Sequence, residues 1–203
     1  FHPVKPITTG EGGAILTNSE NYYKFMKRFI THGVRTDDFV YDKLGDWYFE
    51  MTELGNNYRL TDMQCALGIS QLAKLDLFLE KRRAIAKKYD EAFAHVENII
   101  TPAPDNNIFQ SSWHLYAIRL RDNALLRKRE IFSALRGKGI WVQVHHIPVH
   151  MHPYYRQHGY ADTVLPETEK WYEAVMSLPI YPTLTEGEQG LVIETVNGLV
   201  NKA

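Results

Sequence analysis

The sequence predicts a mixed α/β fold in two parts, a partial α/β domain followed by a small α+β domain. In the second half of the chain predicted strands alternate with predicted helices, which is typical of a small α+β layer. The 203 residues are 44% hydrophobic and 23% charged, the composition of an ordinary globular protein with a real core. The chain opens Phe1-His2-Pro3 without a methionine, and we expect it to be part of a longer protein.

Charge and cysteine content exclude several classes of function. Lys and Arg together number 23 and Asp and Glu 24, for a net charge of −1, so no strong field attracts nucleic acid or anionic lipid. The single cysteine, Cys65, forms neither an internal disulfide nor a cysteine-rich zinc site. No apolar stretch reaches the ~18 residues that span a bilayer. We therefore expect a cytoplasmic protein with no nucleic acid and no membrane partner.

The first third of the chain predicts a glycine turn, a strand, a helix and a long loop. Residues 10–13, Gly-Glu-Gly-Gly, suit a tight turn, and the apolar run 14–17 suits a buried strand. Asn18-Ser19 offers an N-cap for an amphipathic helix that runs toward Gly33. Residues 34–56 have no clean periodicity, and we expect a long loop with a functional role there.

The middle of the chain predicts a long helical stretch. Thr61 and Gln64 have the spacing of a capping box, so a helix should start after Thr61. Apolar residues continue to Val96, as one long bent helix or as two. Pro102 and Pro104 mark the end of this stretch, which is long enough to carry the chain from one domain to the next.

The remaining third supplies the alternation of strands and helices. The predicted strands are residues 113–120 and 140–145, and the predicted helices are 125–138, 167–176 and 185–200.

Lys5 is the first candidate for chemistry. It lies three residues after His2 and five before a glycine turn, which places its amine beside a rigid backbone. The position of Lys5 in the sequence does not by itself indicate a catalytic role, because most lysines are solvated surface residues.

Lys5 lies in a first sequence motif, Phe1-His2-x-x-Lys5 followed by Thr9-Gly10-Glu11-Gly12-Gly13. Four further motifs follow it along the chain, and all five are here called blocks. Together, the five blocks resemble the DegT/DnrJ/StrS family, pyridoxal-phosphate aminotransferases of fold type I that act on nucleotide-linked keto sugars. The further blocks are Thr31-His32-Gly33, residues 55–68 (GNNYRLTDMQCALG), Trp113-His114-Leu115-Tyr116 and Ile147-Pro148-Val149-His150.

The resemblance implies a fold and a division into domains. The chain would be the C-terminal part of an aspartate-aminotransferase-like enzyme. Residues 1–75 would be a remnant of the large domain that binds pyridoxal 5'-phosphate, together with an interface segment. Residues 76–104 would form an interdomain helix and linker, and residues 105–203 the small C-terminal α+β domain.

The resemblance also implies roles for several residues. Lys5 would bind the aldehyde of pyridoxal phosphate and later move a proton during amino transfer. In related sugar dehydratases a histidine replaces this lysine, so its presence favours amino transfer. Asn57 and Arg59 would reach the cofactor phosphate of a neighbouring subunit, because amide and guanidinium donors suit phosphate oxygens. The alternative for that pair is a capping turn and a surface arginine.

Four histidines lie close together at positions 145, 146, 150 and 152, which raises the question of a metal site. Strand alternation would send His145 and His146 to opposite faces, and no four-ligand pattern appears, so we expect no metal. The resemblance implies that His146 and His150 contact the substrate. It implies the same for His32 and His114, while polar packing remains the alternative for each of the four.

The function expected from this resemblance is transfer of an amino group, from glutamate, to a nucleotide-linked keto sugar. The sugar position would be C4 of a UDP-4-keto-6-deoxy-N-acetylhexosamine, in surface-glycan or nonulosonic acid biosynthesis. The enzyme would be a homodimer with an active site shared across the interface. The chain alone would be inactive, because the remaining cofactor contacts lie upstream in this family. The alternative is a non-catalytic module of the same fold that binds nucleotide sugar or a partner.

Overall fold

The computed structural model describes residues 1–41, 45–106, 108 and 110–202, and the chain divides into two compact units, Phe1–Lys74 and Leu75–Ala203. The first unit contains two helices and a short antiparallel pair of strands. In chain order these elements are α1 (Glu20–Phe29), β1 (Val34–Arg35), β2 (Glu50–Met51) and α2 (Asp62–Leu72).

Helix α1 begins where its N-cap predicts. The Ser19 hydroxyl accepts a hydrogen bond from the Tyr22 N–H, which satisfies one of the donors left free at a helix start. The helix ends at Phe29, and the following Gly33 has a left-handed φ of 69°. The Gly33 N–H donates to the Arg28 carbonyl, so the chain turns tightly as it leaves the helix.

The loop predicted over residues 34–56 contains a small hairpin. Val34 pairs with Met51 and Arg35 with Glu50 in antiparallel register. The Glu50 carboxylate accepts hydrogen bonds from the Val40 N–H, the Tyr41 N–H and the Tyr48 hydroxyl. The segment therefore has more internal structure than its irregular sequence pattern indicated.

The predicted buried strand at residues 14–17 is wrong. The segment forms no strand, and Ile15 and Leu16 are 76% and 93% exposed. A strand requires a neighbour for its N–H and C=O groups, and no described segment of this unit pairs with residues 14–17.

The capping box at Thr61 is confirmed, and the helical stretch that follows is two helices. Gln64 accepts from the Thr61 N–H at 2.9 Å and its own N–H donates back to the Thr61 hydroxyl at 3.3 Å. Helix α2 ends at Leu72, and α3 (Leu75–Phe93) starts the second unit. Tyr89 and Phe93 of α3 lie in the core of that unit, so this helix, which we predicted to connect domains, is packed within one of them.

The second unit has a three-stranded antiparallel sheet in the order β3-β4-β5. The other helices of this unit come between or after the strands in the sequence. In chain order the elements after α3 are β3 (Ile99–Ile100), β4 (Tyr116–Leu120), α4 (Asp122–Leu126), α5 (Lys128–Gly137), a 3-10 turn (Val149–Met151), α6 (Pro153–Tyr155), a π turn (Arg156–Tyr160), α7 (Pro166–Ala174), β5 (Val175–Leu178) and α8 (Glu186–Val200).

The core of the second unit follows the periodicity of its elements. Residues of β4 alternate, with Tyr116, Ile118 and Leu120 buried and the two between them half-buried, as expected for a strand. Helices α3, α5 and α8 each contribute a buried apolar face to the same cluster. Their buried side chains include Tyr89, Phe93, Ile131, Leu135, Val192 and Val196.

Four predicted boundaries differ in this unit. The strand predicted over 113–120 begins only at Tyr116, because Trp113 has a left-handed φ of 46° instead of an extended backbone. The strand predicted at residues 140–145 is a single bridge, in which Gln143 and Ser177 exchange backbone hydrogen bonds of 3.1 and 2.8 Å. The helix predicted over 125–138 is interrupted at Arg127, which separates α4 from α5. The helix predicted over 167–176 stops at Ala174, because Val175 and Met176 pair with β4 instead. No helix in the described part of the chain is long and apolar enough to cross a membrane.

Thr185→Ala should destabilise the second unit by about 1 kcal/mol, since α8 loses the acceptor of its capping box. Thr185 and Glu188 form this box, with hydrogen bonds of 2.8 and 3.2 Å. Urea denaturation, together with hydrogen exchange of the α8 amides, measures the loss. Thr183→Ala, at an exposed residue outside the helix, is the matched control. Equal stability of the two variants would contradict the role of the cap.

Candidate functional site

The segment that carries Lys5 packs against the start of helix α2. The Lys5 N–H donates to the His2 carbonyl at 3.0 Å, closing a turn that leaves the Lys5 side chain exposed. The Gln64 amide of α2 reaches the Glu11 carbonyl at 3.5 Å. The glycine turn that follows Lys5 in the chain therefore contacts the first turn of α2 at Glu11.

Two glycines allow this close packing. A Cβ at Gly12 would lie 2.6 Å from a methyl carbon of Leu60, and one at Gly68 would lie 2.9 Å from the Thr9 methyl carbon. Gly12 also has a φ of 131°, a backbone conformation that side chains rarely adopt. Gly12 thus serves both the turn and the contact with Leu60, just before α2, while Gly68 of α2 makes room for Thr9.

His32 lies where two stretches of backbone cross. Its φ is 63°, in the left-handed region that is uncommon outside glycine. The His32 N–H donates to the Asn56 carbonyl at 3.0 Å, and the Asn56 N–H donates to the Phe29 carbonyl at 2.7 Å. A bridge between Thr31 and Asn57 continues this pairing. His32 and the Asn57–Arg59 segment are therefore fixed to each other.

Gly33 and Gly55 make the crossing possible. A Cβ at Gly33 would lie 1.7 Å from the Glu53 carbonyl oxygen, and one at Gly55 would lie 2.2 Å from the Gly33 nitrogen. Both neighbours are backbone atoms, which have little freedom to move aside. The two glycines are therefore required by the packing of the loop that presents His32.

A cleft of about 730 Å³ opens between α1 and the hairpin of the first unit. His32 and Arg59 both line it, whereas Lys5 and Asn57 are not among its lining residues. Positive side chains outnumber the two carboxylates, Asp37 and Asp38. The positive residues are Lys24, Lys27, Arg28, Arg35 and Arg59.

Some of these charges are already compensated. Arg28 forms an ion pair with Glu53, and the Arg35 guanidinium lies 3.8 Å from the Asp38 carboxylate. Lys24 pairs with Glu20 along α1 at 3.3 Å. The cleft nevertheless keeps an excess of cationic donors, which suits an anionic ligand such as a phosphate.

The histidines of the second unit differ in their surroundings. His114 is half-buried and follows Trp113, whose φ of 46° is also left-handed. His146 is exposed. His145 is half-buried, with Nε2 3.0 Å from the Ser177 hydroxyl and its ring edge-on to Trp171. Burial, followed by the nearby positive charges of His146 and Lys128, lowers the pKa of His145 and favours its neutral form.

His150 is buried and has a side-chain partner within its unit. It is 8% exposed, and its Nε2 lies 2.9 Å from Oε1 of Glu169. The same carboxylate oxygen accepts the Leu165 N–H at 3.0 Å. Nε2 of His150 is thus engaged inside the unit, and Glu169 is a partner that no sequence pattern indicated. Among the described residues, no group of three or more His, Cys, Asp or Glu side chains is arranged to hold a metal ion.

The first unit has donors that fit two ends of pyridoxal phosphate. An exposed primary amine at Lys5 suits its aldehyde, while the exposed Asn57 and Arg59 side chains suit its phosphate. Arg59 lies in the cation-rich cleft, directly before the start of α2. The donor set therefore agrees with the cofactor that the sequence resemblance implied.

Comparison with known proteins gives one family. The profile of the DegT/DnrJ/EryC1/StrS aminotransferase family matches residues 1–197. The UDP-4-amino-4,6-dideoxy-N-acetyl-beta-L-altrosamine transaminase of Campylobacter jejuni is 38% identical over 202 residues, covering 100% of this chain and 51% of its own length. The chain spans about half the length of the curated relatives it matches.

Solved structures agree. PseC of Helicobacter pylori, an aminotransferase involved in the biosynthesis of pseudoaminic acid, has a TM-score of 0.86 and 32% identity, covering 98% of this chain and 52% of PseC. Spr1654 of Streptococcus pneumoniae, solved in a PLP form, has a TM-score of 0.85 and 27% identity, covering 98% of this chain and 50% of that protein. These likenesses show the fold type and indicate pyridoxal phosphate as the cofactor of the family.

Gly55→Ala should destabilise the crossing by about 1–3 kcal/mol, because the added methyl group overlaps backbone atoms. The readout is hydrogen exchange of the His32 amide, whose acceptor is the Asn56 carbonyl. Gly13→Ala is the control, since a Cβ there meets nothing within 4 Å. Unchanged His32 protection in Gly55→Ala would show that the loop is not limited by this contact.

Glu169→Gln should remove part of the acid sensitivity of the second unit. Hydrogen bonds from the Leu165 N–H and then His150 lower the pKa of Glu169 below its ordinary value of 4.5. The folded state therefore binds fewer protons, so the contribution of Glu169 is present above pH 4.5 and disappears as the pH falls through the lowered value. Urea denaturation at pH 6 and at pH 3 tests this.

Glutamine keeps an acceptor oxygen but cannot ionise, so Glu169→Gln should be less stable than wild type at pH 6, and the stabilities of the two proteins should converge at pH 3. Glu167→Gln, at an exposed residue of the same helix, is the control for general charge effects. The same loss of stability at pH 3 in wild type and in Glu169→Gln would contradict the role of this carboxylate.

Proposed function

Because the chain belongs to the DegT/DnrJ/EryC1/StrS aminotransferase family, we propose that the complete protein transfers an amino group to a nucleotide-linked keto sugar. The observation that carries this proposal is the exposed Lys5 residue, on a turn closed by its N–H and the His2 carbonyl, which precedes a glycine segment in contact with the start of α2. The cation-rich cleft in the same unit supports an anionic, phosphate-containing substrate.

Lys5 has two roles in this proposal. Its Nζ binds the cofactor aldehyde and, after the amino donor displaces it, accepts and returns a proton as a general base and acid. Pyridoxal phosphate supplies an electron sink for the electron pair that remains when a proton leaves carbon.

Asn57 and Arg59 bind the cofactor phosphate of a neighbouring subunit, in a homodimer. Their side chains are exposed, as an intersubunit role requires. The pairing of Thr31 with Asn57 and of His32 with Asn56 gives this segment a fixed conformation before any ligand binds. Fixed donors lose less conformational entropy when they bind phosphate.

The substrate is a UDP-4-keto-6-deoxy-N-acetylhexosamine, aminated at C4 with glutamate as the donor, in surface-glycan or nonulosonic acid biosynthesis. The named transaminase of Campylobacter jejuni and PseC of Helicobacter pylori support this choice. His32, His114 and His146 supply hydrogen bonds to the sugar nucleotide. His150 packs against Glu169 and is left out of this group.

The activity belongs to a complete, cytoplasmic protein that contains this chain. The first unit belongs to the large cofactor-binding domain, and the second is the small C-terminal domain. In this family the acidic partner of the cofactor ring nitrogen and the aromatic residue over the ring come before the lysine, so we place them in the part of the complete protein that precedes Lys5. The chain alone is therefore inactive, since the protein must orient and tune the cofactor.

A non-catalytic module that binds nucleotide sugar is the rival from a different class. Such a protein would keep the fold and the donors of the cleft but form no product. The sequence of the complete protein discriminates between the two proposals. An acidic residue and a stacking aromatic in the part before Lys5 favour the enzyme, and the lack of both favours the rival.

Lys5→Ala in the complete protein should reduce amino transfer from glutamate by at least about 100-fold, because it removes a proton-transfer group worth roughly 10²–10⁴ in rate. Product formation is measured with a panel of UDP- and dTDP-linked keto sugars. Borohydride reduction followed by peptide mapping should place the trapped cofactor on Lys5. Lys74→Ala, at another exposed lysine of the first unit, is the control.

Full turnover of the Lys5→Ala enzyme, or cofactor trapped on a different lysine, would overturn the assignment. A wild-type protein that binds sugar nucleotide without making product would support the non-catalytic rival.

A further inference from the structure

The turn before β4 contains a strained residue. Trp113 has a φ of 46° and is 5% exposed. In the described part of the chain, the other non-glycine residues with left-handed φ are His32, Asp38 and Asp122. Aspartate and histidine adopt this conformation more readily than a bulky aromatic residue does. A buried tryptophan in this region therefore needs support from its surroundings.

Arg82 of helix α3 provides the first support. Its Nη1 donates to the Trp113 carbonyl at 3.0 Å, to the His114 carbonyl at 3.3 Å and to the Ile180 carbonyl at 3.0 Å. The side chain is buried, and its Nε has no acceptor among the described residues. A guanidinium group held by carbonyl oxygens in this way orients the two peptide units on either side of the His114 Cα, Trp113–His114 and His114–Leu115.

Asp105 and Ser111 provide the second support. One Asp105 carboxylate oxygen accepts the indole N–H of Trp113 at 3.0 Å, and the other accepts the Ser111 N–H at 2.8 Å. The Ser111 hydroxyl accepts the Trp113 N–H at 3.0 Å. The N–H, the carbonyl and the indole of Trp113 are thus all held, so both its backbone and its ring are fixed.

The cost of this arrangement points to a purpose other than stability. A buried cation loses its hydration, and carbonyl oxygens repay less of that loss than a carboxylate would. A left-handed tryptophan adds backbone strain, and such strain clusters at functional sites. What the arrangement fixes is the next residue, His114, whose imidazole is half-buried at the start of β4.

We propose that Arg82 is a positioning residue, which holds the strained turn at Trp113 so that the His114 imidazole meets the sugar nucleotide in one orientation. This inference rests on the proposed function and adds to it a residue that does not touch the substrate. Arginine suits the role because its planar group donates in fixed directions, whereas the lysine ammonium does not.

A double-mutant cycle in the complete enzyme tests the proposal, with Arg82→Lys, His114→Ala and the combined variant. The quantity is kcat/KM for the keto sugar nucleotide. Arg82→Lys keeps the charge but loses the directed hydrogen bonds, and should lower kcat/KM roughly 10- to 100-fold through misplacement of His114. In the His114→Ala background the same change should have almost no further effect.

A second readout separates positioning from general damage. The half-reaction with the amino donor alone does not involve the sugar, so its rate should be unchanged in Arg82→Lys. Lys87→Met on the same helix, at an exposed residue 3.9 Å from Glu91, is the control and should match wild type in both reactions.

Independent losses in the cycle, so that the combined variant loses the product of the two single effects, would overturn the proposal. An equal loss of rate in the donor half-reaction of Arg82→Lys would overturn the proposal as well, because that result would indicate a purely structural role for Arg82. If Arg82→Lys does not fold, Ser111→Ala replaces it in the double-mutant cycle with His114→Ala. Ser111 is exposed, and this change removes only the acceptor of the Trp113 N–H.

Failure of the proposed function has a different signature. A wild-type enzyme with no turnover on any keto sugar nucleotide contradicts the proposed function. A wild-type enzyme with normal turnover and an additive cycle contradicts only the role of Arg82.

Discussion

The first unit depends on one close approach between two stretches of its backbone, at Gly33 and Gly55. No Cβ fits at either position, because the carbonyl of Glu53 and the amide of Gly33 occupy that space. The approach places His32 beside Asn56 with a direct hydrogen bond. It therefore joins two parts of the sequence, residues 31–33 and 55–59, that contain three of the residues expected to bind ligands.

Both units place a candidate substrate histidine at or beside a left-handed residue, although by different means. In the first unit His32 itself has positive φ, and glycines make room around it. In the second unit the left-handed residue is Trp113, and charged side chains hold it in place. A fixed backbone limits the directions in which an imidazole can point, which is useful when a ligand must bind in one orientation.

The sequence predicted features that depend on local rules. The capping box at Thr61 and the N-cap at Asn18-Ser19 are encoded within four residues, and the structure confirms both. The capping box at Thr185, which was not predicted from the sequence, follows the same local rule. Local rules do not predict which distant segments pair as strands. Residues 14–17 have the composition of a strand, but pairing depends on a neighbour that no local rule supplies. Residues 140–145 likewise make one bridge to Ser177.

Prediction of the site had the same limit. Motif likeness made Lys5, His32, Asn57 and Arg59 candidates, since these residues lie in blocks with fixed spacing, and their roles stay predictions. It did not identify Arg82 or Glu169, because their partners are 31 and 19 residues away and include backbone carbonyls that carry no sequence signal. It also gave His150 a substrate role as readily as a packing role, and only burial separates the two.

The left-handed conformation of His32 has a consequence for how this position can vary. Glycine, asparagine and aspartate adopt such a φ at low cost, whereas β-branched residues do not. Asparagine would keep the shape of the loop and remove the imidazole. The imidazole at position 32 can therefore be replaced without changing the backbone conformation of the loop. A natural variant with asparagine there would have an amide in place of the imidazole on the same backbone.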